Sequence, residues 1–412
     1  MKDSDQQSSP SEPIDVDVAI VGAGLVGMPL ALALSAKGWS VALLDAGGEP
    51  DEQSEVASSD EDSRSTALKQ RCTALNLGTK QWLTQHGFWE SVSVDACPIA
   101  RVNVSHKGYF GATRLSADEM RVDALGYVVN NANYIDQLYK LCVASEVKRL
   151  YNARVNGVTQ LQDAVKLSVE GACDVRTKLL VAADGITSLV RESTAISTTQ
   201  VDYEQAAVLG MVELTSAHDG VAYERFTPSG PLALLPRPGE FMSFVDCINP
   251  DEQEAIDAMT DNEYLQRLQS RFGYRLGRFD KVGPRFVLPL LRIESTTQVA
   301  QRTVLVGNAM RLLHPVGGQG YNLAIRDIDS LIRTLDRASV SDPGDDALLH
   351  QFAAQRLDDQ KSIVRLTDLL ARGFRGNSAI PGHLRSGALL GLDAISPIRK
   401  RFAEKTMGIS GL

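Results

Sequence analysis

The sequence predicts an α/β fold in which an open, Rossmann-like parallel core is interrupted by an inserted antiparallel sheet and followed by C-terminal helices. Three observations carry that prediction. β-branched runs that end in glycine turns, "VDVAIVGAG" and "TVLVGNA", read as buried parallel strands. Alternating strand-like segments fill most of residues 99–135 and 201–290. Beyond residue 345 the pattern is helical.

Composition bounds the function. With 412 residues, 43% hydrophobic and 23% charged, the chain is an ordinary globular protein of more than one domain. A net charge of -9 argues against nucleic acid as a partner, because phosphate binding needs a basic face. The cysteines Cys72, Cys97, Cys142, Cys173 and Cys247 are scattered and never form C-x-x-C, which fits reduced thiols in a cytosolic protein. The six histidines form no metal-ligand spacing, so no metal is expected. Val18 to Ala36 is uncharged and about as long as a membrane span. It nevertheless contains three glycines and a proline and follows an acidic leader, so we expect a cytoplasmic protein.

In order along the chain, residues 1–12 are a polar, serine-rich leader expected to be disordered. The parallel core is expected over 13–98, 136–200 and 291–345, the inserted sheet over 99–135 and 201–290, and the helical region over 346–412. Within the first block, "VGMPLALALSAKGW" reads as a helix, "SVALLDAG" as the next strand, and "CTALNLGTKQWLTQHGFWESV" as a helical stretch. Trp82, Phe88 and Trp89 sit there at helical spacing and are expected in the core.

The first motif is G-x-G-x-x-G at Gly22, Gly24 and Gly27. Gly22 suits the tight turn, Gly24 exposes backbone to a pyrophosphate, and Gly27 allows close helix–strand packing. The helix that follows would point its N–H groups and positive dipole end at the phosphates. Asp45 ends the second strand 21 residues past Gly24, where a carboxylate can accept ribose hydroxyls. These features together indicate a dinucleotide but do not separate NAD from FAD.

Two later motifs do. "LLVAADGITSLVR" places Asp184 and Gly185 after an apolar strand, and "VLVGNAMRLLHPVGGQGYNLAIRD" sets Gly307, Asn308, His314, Pro315, Gly317, Gly318, Gln319, Gly320 and Asn322 between a strand and a helix. In this order and spacing the three motifs resemble the aromatic-ring flavoprotein monooxygenases of the para-hydroxybenzoate hydroxylase fold. "YERFTPSGPLALLP", "RLGR" and the G-N and H-P pairs of the last motif are similar to the ubiquinone-biosynthesis branch, nearest its 2-polyprenyl-6-methoxyphenol hydroxylases. The resemblance spans roughly residues 15–410.

It implies FAD as the bound dinucleotide, NAD(P)H as co-substrate, and hydroxylation of a polyprenylated methoxyphenol with O2 through a flavin C4a-hydroperoxide. The late loop would then pass its backbone against the flavin ring at Gly317, Gly318 and Gly320. Asn308 would reach phosphate or ribityl hydroxyls without the like charge of an aspartate. The family's phosphate-contacting arginine falls at Arg71, because of the two R-x-T-A-L segments, at Arg64 and Arg71, only the second keeps the distance to "GFW". Asn130 stands where relatives commonly have Glu, which puts a substrate role for that position in doubt. Phe226, Pro231 and Leu235 are the candidate substrate wall.

No catalytic base is legible. His314 is either a hydrogen-bond donor that fixes its loop or a proton carrier. Other activities stay open: the same chemistry on a soluble phenol, an isoprenoid reductase of the same fold, or a non-catalytic FAD-binding subunit. A prenylated substrate implies contact with the inner membrane or with a multienzyme partner. The C-terminal region, which mixes Leu369, Ile395 and Phe402 with Arg399, Lys400, Arg401 and Lys405, would either make that contact or simply cap the core.

Overall fold

The computed structural model describes residues 13–50, 71–337, 342–373, 387, 390–391 and 393–409. The leader, Arg64 and residues 374–386 lie outside them. In chain order the elements that matter here are β1 (Ile14–Val21), α1 (Gly27–Ser35), β2 (Val41–Leu44), β3 (Cys72–Asn76), α2 (Leu77–Gln85), β4 (Cys97–Ile99), β5 (Arg101–His106), β6 (Ala112–Ser116), β7 (Gly126–Asn130) and α3 (Asn131–Val143). They continue with β8 (Lys148–Leu150), β9 (Arg154–Gln160), β10 (Val165–Glu170), β11 (Val175–Ala182), β12 (Thr198–Leu214), β13 (Val221–Thr227), β14 (Gly230–Pro236), β15 (Phe241–Ile248) and α4 (Asp261–Phe272). The last are β16 (Phe279–Val282), β17 (Phe286–Ser295), β18 (Val299–Ala300), β19 (Thr303–Leu305), β20 (Arg311–Leu312), α5 (Gln319–Arg337), α6 (Asp346–Gly373) and α7 (Ser396–Thr406).

One sheet runs β18-β19-β11-β1-β2-β8, with β10 attached to β11 and β9 to β10. Its centre is parallel: β1 pairs in parallel with β11 and β2, and β11 with β19. Val18, Ile20, Leu179 and Val181 pack one face against α1, α3 and α5, while Ala19, Leu180 and Ala182 fill the other. Both faces are covered, which explains why these strands read as continuous apolar runs.

The second sheet is mainly antiparallel, in the order β20-β17-β12-β15-β14-β13-β5-β6, with β16 on β12. One face carries Leu232, Leu234, Phe244 and Val208 against Tyr264, Leu268 and Phe272 of α4. The other face, with Phe226, Ala207 and Cys247, meets Val316 of the late glycine loop. The two sheets are thus held together where the third motif passes.

One expectation is corrected here. Residues 72–92 do not begin as helix: Cys72–Asn76 is a strand paired with β7 in a small sheet, β3-β7-β4. The helix starts only at Leu77, where the Asn76 side chain accepts the Thr79 N–H at 2.9 Å. Long-range pairing with β7 outweighs the local preference. Trp82 and Phe88 lie in the core as expected, and Trp82 donates to Asp329 at 3.1 Å.

Candidate cofactor and substrate site

Four loops converge at the C-terminal ends of β1, β2, β11 and β19. That edge is where open parallel sheets place ligands. In the first loop the three glycines answer different demands. A Cβ on Gly22, whose φ is +108°, would lie 2.3 Å from the Ala183 carbonyl oxygen, and one on Gly27 would lie 1.9 Å from the Gly22 carbonyl oxygen. A Cβ on Gly24 would meet nothing within 4 Å. Two glycines are therefore required by the protein's own packing, and the third by whatever fills the space beside it. Asp45 braces this loop, accepting the Ala23 N–H at 2.7 Å and the Gly47 N–H at 2.8 Å.

The second loop carries Asp184 and Gly185. Asp184 Oδ2 accepts the Val190 N–H at 3.3 Å, while Oδ1 is buried without a partner among the described residues. Burial pushes this carboxyl up, against the pull of Ser188 and of nearby backbone N–H groups. Gly185 has φ +85°, and its missing Cβ also faces open space. Arg191 then ties this loop to the turn after β19. It donates to the Ile186 carbonyl at 2.6 Å and to the Ala309 carbonyl at 3.1 Å. In that turn a Cβ on Gly307 would press on Val26 at 3.2 Å, and Asn308 is exposed at the lip.

The late loop completes the cradle. Pro315, Gly317 and Gly320 are exposed. Gly317 and Gly318 have φ of +68° and +59°; only Gly318 is confined by protein, with its would-be Cβ 3.3 Å from Ala74. Gly320 is open within 4 Å. Gln319 donates to the Gly317 carbonyl at 3.0 Å, and its Oε1 is buried and unpartnered among the described residues. Tyr321, at the start of α5, donates to the Leu25 carbonyl at 3.2 Å, fastening the third motif to the first. As expected, the helix buries Leu323, Ile328 and Leu331.

Two candidates take roles different from those expected. Asn322 donates to the Ala74 and Gly318 carbonyls, both at 2.8 Å, and accepts from the Asn76 N–H at 2.9 Å and the Thr79 hydroxyl at 2.7 Å. With two donors and two acceptors spent, its amide has nothing left for a cofactor and instead locks β3 and α2 to the loop. His314 is 1% exposed and accepts the Val316 N–H through Nδ1 at 3.1 Å, so it fixes the loop as an acceptor, not a donor. Burial pushes its pKa down to about 4, and Asp368 offsets this only in part. The ring is therefore neutral near pH 7. Beside it, Tyr203 lies edge-on at 5.0 Å and hydrogen-bonds Asp368, which also pairs with Arg292.

Arg71, immediately before β3, is exposed and pairs with no carboxylate among the described residues; its carbonyl accepts the Asn131 N–H at 2.9 Å. Asn130 caps α3, accepting the Ala132 and Asn133 N–H groups at 2.9 and 3.2 Å. That capping role accounts for a short amide at this position.

Phe226, Pro231 and Leu235 share the sheet face turned toward the late loop, since their neighbours Tyr223, Leu232 and Leu234 pack on the α4 side. Phe226 itself is buried against Val316 and Tyr203. Glu224, not among the expected site residues, shares that face. It stands two residues before Phe226 and faces the Gly317 N–H; its Oε1 is buried and unpartnered among the described residues. In "VAYERFT" the inward positions read Ala222, Glu224, Phe226, a carboxylate in an otherwise apolar register whose inward side only folding decides.

Residues 15–367 match the FAD binding domain family. The chain belongs to that family. Among its relatives, ubiquinone hydroxylase UbiL of Rhodospirillum rubrum is 33% identical over 95% of this chain and 89% of its own length. The 3-demethoxyubiquinol 3-hydroxylase of Escherichia coli is 27% identical over 95% of this chain and 98% of its own. The fold is shared with p-nitrophenol 4-monooxygenase PnpA of Pseudomonas putida, at TM-score 0.76 and 17% identity over 96% of this chain and 99% of that one. Klebsiella pneumoniae HpxO, solved in complex with FAD, has TM-score 0.74 and 16% identity over the same shares of the two chains.

The residues present suit FAD, the family's cofactor. Backbone lies bare at Gly24, Gly185, Gly317 and Gly320, where side chains would otherwise stand. The unpartnered acceptors Asp184 Oδ1 and Gln319 Oε1 call for donors, which ribityl hydroxyls and a flavin ring N–H can supply.

Proposed function

We propose that this protein is an FAD-dependent monooxygenase that hydroxylates a polyprenylated methoxyphenol in ubiquinone biosynthesis, using NAD(P)H and O2. The observation that supports it most is that an open, glycine-lined cradle faces an apolar sheet face across a single loop, Pro315–Gly320. The relatives named for ubiquinone hydroxylation, matched over nearly the whole chain, favour this over a soluble phenol or a non-catalytic subunit.

When bound, FAD supplies oxygen activation and transfer. The chain's own residues bind and orient. Gly22, Gly24 and Gly27 bring the N-terminus of α1 to the pyrophosphate. Arg71 meets a phosphate, and Asp45 the ribose. Asp184, Gly185, Gly307 and Asn308 line the phosphate and ribityl side. Pro315, Gly317, Gly318, Gln319 and Gly320 face the ring, where the start of α5 favours negative charge. Phe226, Pro231 and Leu235 exclude water and hold the phenol. Phenol-stimulated NAD(P)H oxidation by the purified yellow protein, joined to quinone profiling of a strain lacking it, tests this function. Oxidation indifferent to every prenylated phenol would reject it.

No helix among the described residues is long and apolar enough to cross a membrane. Contact with the bilayer surface is proposed at α7, where Lys400, Arg401, Ile395 and Ile398 are exposed, although Arg399 is committed to Glu119 and Asp393 and Ala403 and Met407 anchor the helix in the core. Flotation with anionic vesicles, compared between the wild type and a Lys400→Glu/Arg401→Glu variant, tests it. Equal flotation would leave α7 as a cap.

A further inference from the structure

Glu224 is a carboxylate that the binding roles above do not use. It lies on β13, on the same face as Phe226, with Val104 of β5 and Ala233 of β14 as its cross-strand neighbours. The carboxyl faces the Gly317 N–H of the loop assigned to the flavin ring. Its Oε1 is closed to solvent and has no hydrogen-bond partner among the described residues. A buried carboxyl oxygen without a donor is costly, and folded proteins seldom leave one unless a ligand supplies the donor. The adjacent Arg225 points to the opposite face, donating to the Arg271 carbonyl and the Ser105 hydroxyl, and no cation among the described residues pairs with Glu224.

The missing donor should come from a ligand seated against this face of the sheet, beside the late loop. We propose that Glu224 accepts the hydrogen bond of the substrate's phenolic hydroxyl and so sets the ring against the Gly317–Gln319 loop. The proposal rests on the monooxygenase function above. A phenol arrives protonated, its pKa lying near 10 in water. Its O–H donated to a carboxylate enriches the ring in electron density, which favours attack by an electrophilic oxygen. Because this carboxyl faces Gly317, the substrate it holds would lie beside the cofactor loop.

The surroundings keep that group responsive. Burial pushes the Glu224 carboxyl up to about 7, with the Gly317 N–H pulling the other way. The titratable groups sharing this face from adjoining elements are Cys247 of β15, His106 of β5, and His314 and Tyr203 at the seam. The Cys247 thiol is raised well above its usual value by burial and by the charges of Asp246 and Glu224. His314 is neutral near pH 7, and Tyr203 is raised by burial and by Asp368.

The test uses FAD-loaded full-length protein with the nearly isosteric Glu224→Gln and the shortened Glu224→Asp. Glu224→Gln should keep its flavin absorbance, since an amide oxygen can still face the Gly317 N–H, while kcat/KM for a short-chain prenylated methoxyphenol falls about 10- to 100-fold. Glu224→Asp should recover part of that loss. A second measurement does not depend on turnover. The chromophoric probe 2-methoxy-4-nitrophenol, bound to the FAD-loaded wild type, should show a higher apparent pKa than when bound to Glu224→Gln, because an ionised carboxylate opposes a second anion. Wild-type turnover in Glu224→Gln overturns the proposal, and so does a probe pKa that the substitution leaves unchanged. If the probe responds to Glu224 while the wild type hydroxylates no methoxyphenol, the monooxygenase function fails and the contact stands.

Discussion

On the cofactor side of the site, Gly24, Gly185, Gly317 and Gly320 leave the backbone bare. On the sheet side, Glu224, Phe226, Pro231 and Leu235 reach out with side chains. Backbone contacts follow local chain geometry, so they leave a signature of absent side chains at fixed short spacings. Side-chain contacts from a sheet are assembled from β13 and β14 by a register that exists only after folding. The difference also changes what a substitution tests. A glycine can be demanded by the protein or by the ligand, and the structure separates the two.

The largest expected effect breaks the cofactor side from within. A Cβ on Gly27 would stand 1.9 Å from the Gly22 carbonyl oxygen, so Gly27→Ala should cost about 3 kcal/mol or more and lower the melting temperature of the FAD-free protein. Gly24→Val meets no protein atom within 4 Å of its Cβ. It should leave the melting temperature of the FAD-free protein nearly unchanged, within about 0.5 kcal/mol, while abolishing the yellow colour. Stoichiometric FAD in purified Gly24→Val would remove this loop from the cofactor site.

A smaller effect is expected where a side chain does serve the cofactor. Arg71→Ala should weaken FAD binding by about one to two decades, the equivalent of roughly 1.5–3 kcal/mol for a charge-assisted contact to phosphate. Titration of the apoprotein with FAD measures it directly, with Arg64→Ala as the comparison. A loss on Arg64→Ala without one on Arg71→Ala would show that the register through the repeated segment is misplaced.

Legibility follows the same division. The parallel strands, the three glycine motifs and the helix after Tyr321 could be read because each is set by neighbours in sequence. Three features could not. Cys72–Asn76 looked helical because its strand character comes from β7, more than fifty residues later in the chain. Asn322 looked like a ligand contact because its four protein partners come from the distant β3 and α2 as well as its own loop. Glu224 was missed because only the folded register sets its carboxyl beside Gly317.

His314 lies at the seam between the two sides, and its substitution should have the smallest effect at neutral pH. Asn can replace Nδ1 as acceptor of the Val316 N–H, so His314→Asn should cost only about 1–2 kcal/mol at pH 7.5, mostly for the lost ring against Tyr203. Acid separates the variants further. The folded pKa is pushed down to about 4, below the usual 6.5 that the unfolded chain recovers. Between those values the unfolded state binds more protons, so wild-type stability falls as pH drops through that window, by about 3 kcal/mol in all at 1.36 kcal/mol per unit. His314→Asn lacks this loss. Its deficit at pH 7.5 should therefore shrink, and then reverse, as denaturant unfolding is repeated down to pH 4.5. A pH-independent deficit would mean that His314 is not held neutral by burial. A turnover profile that loses a limb near pH 7 in His314→Asn would return the residue to the chemistry and make the seam, not the sheet face alone, a source of catalytic side chains.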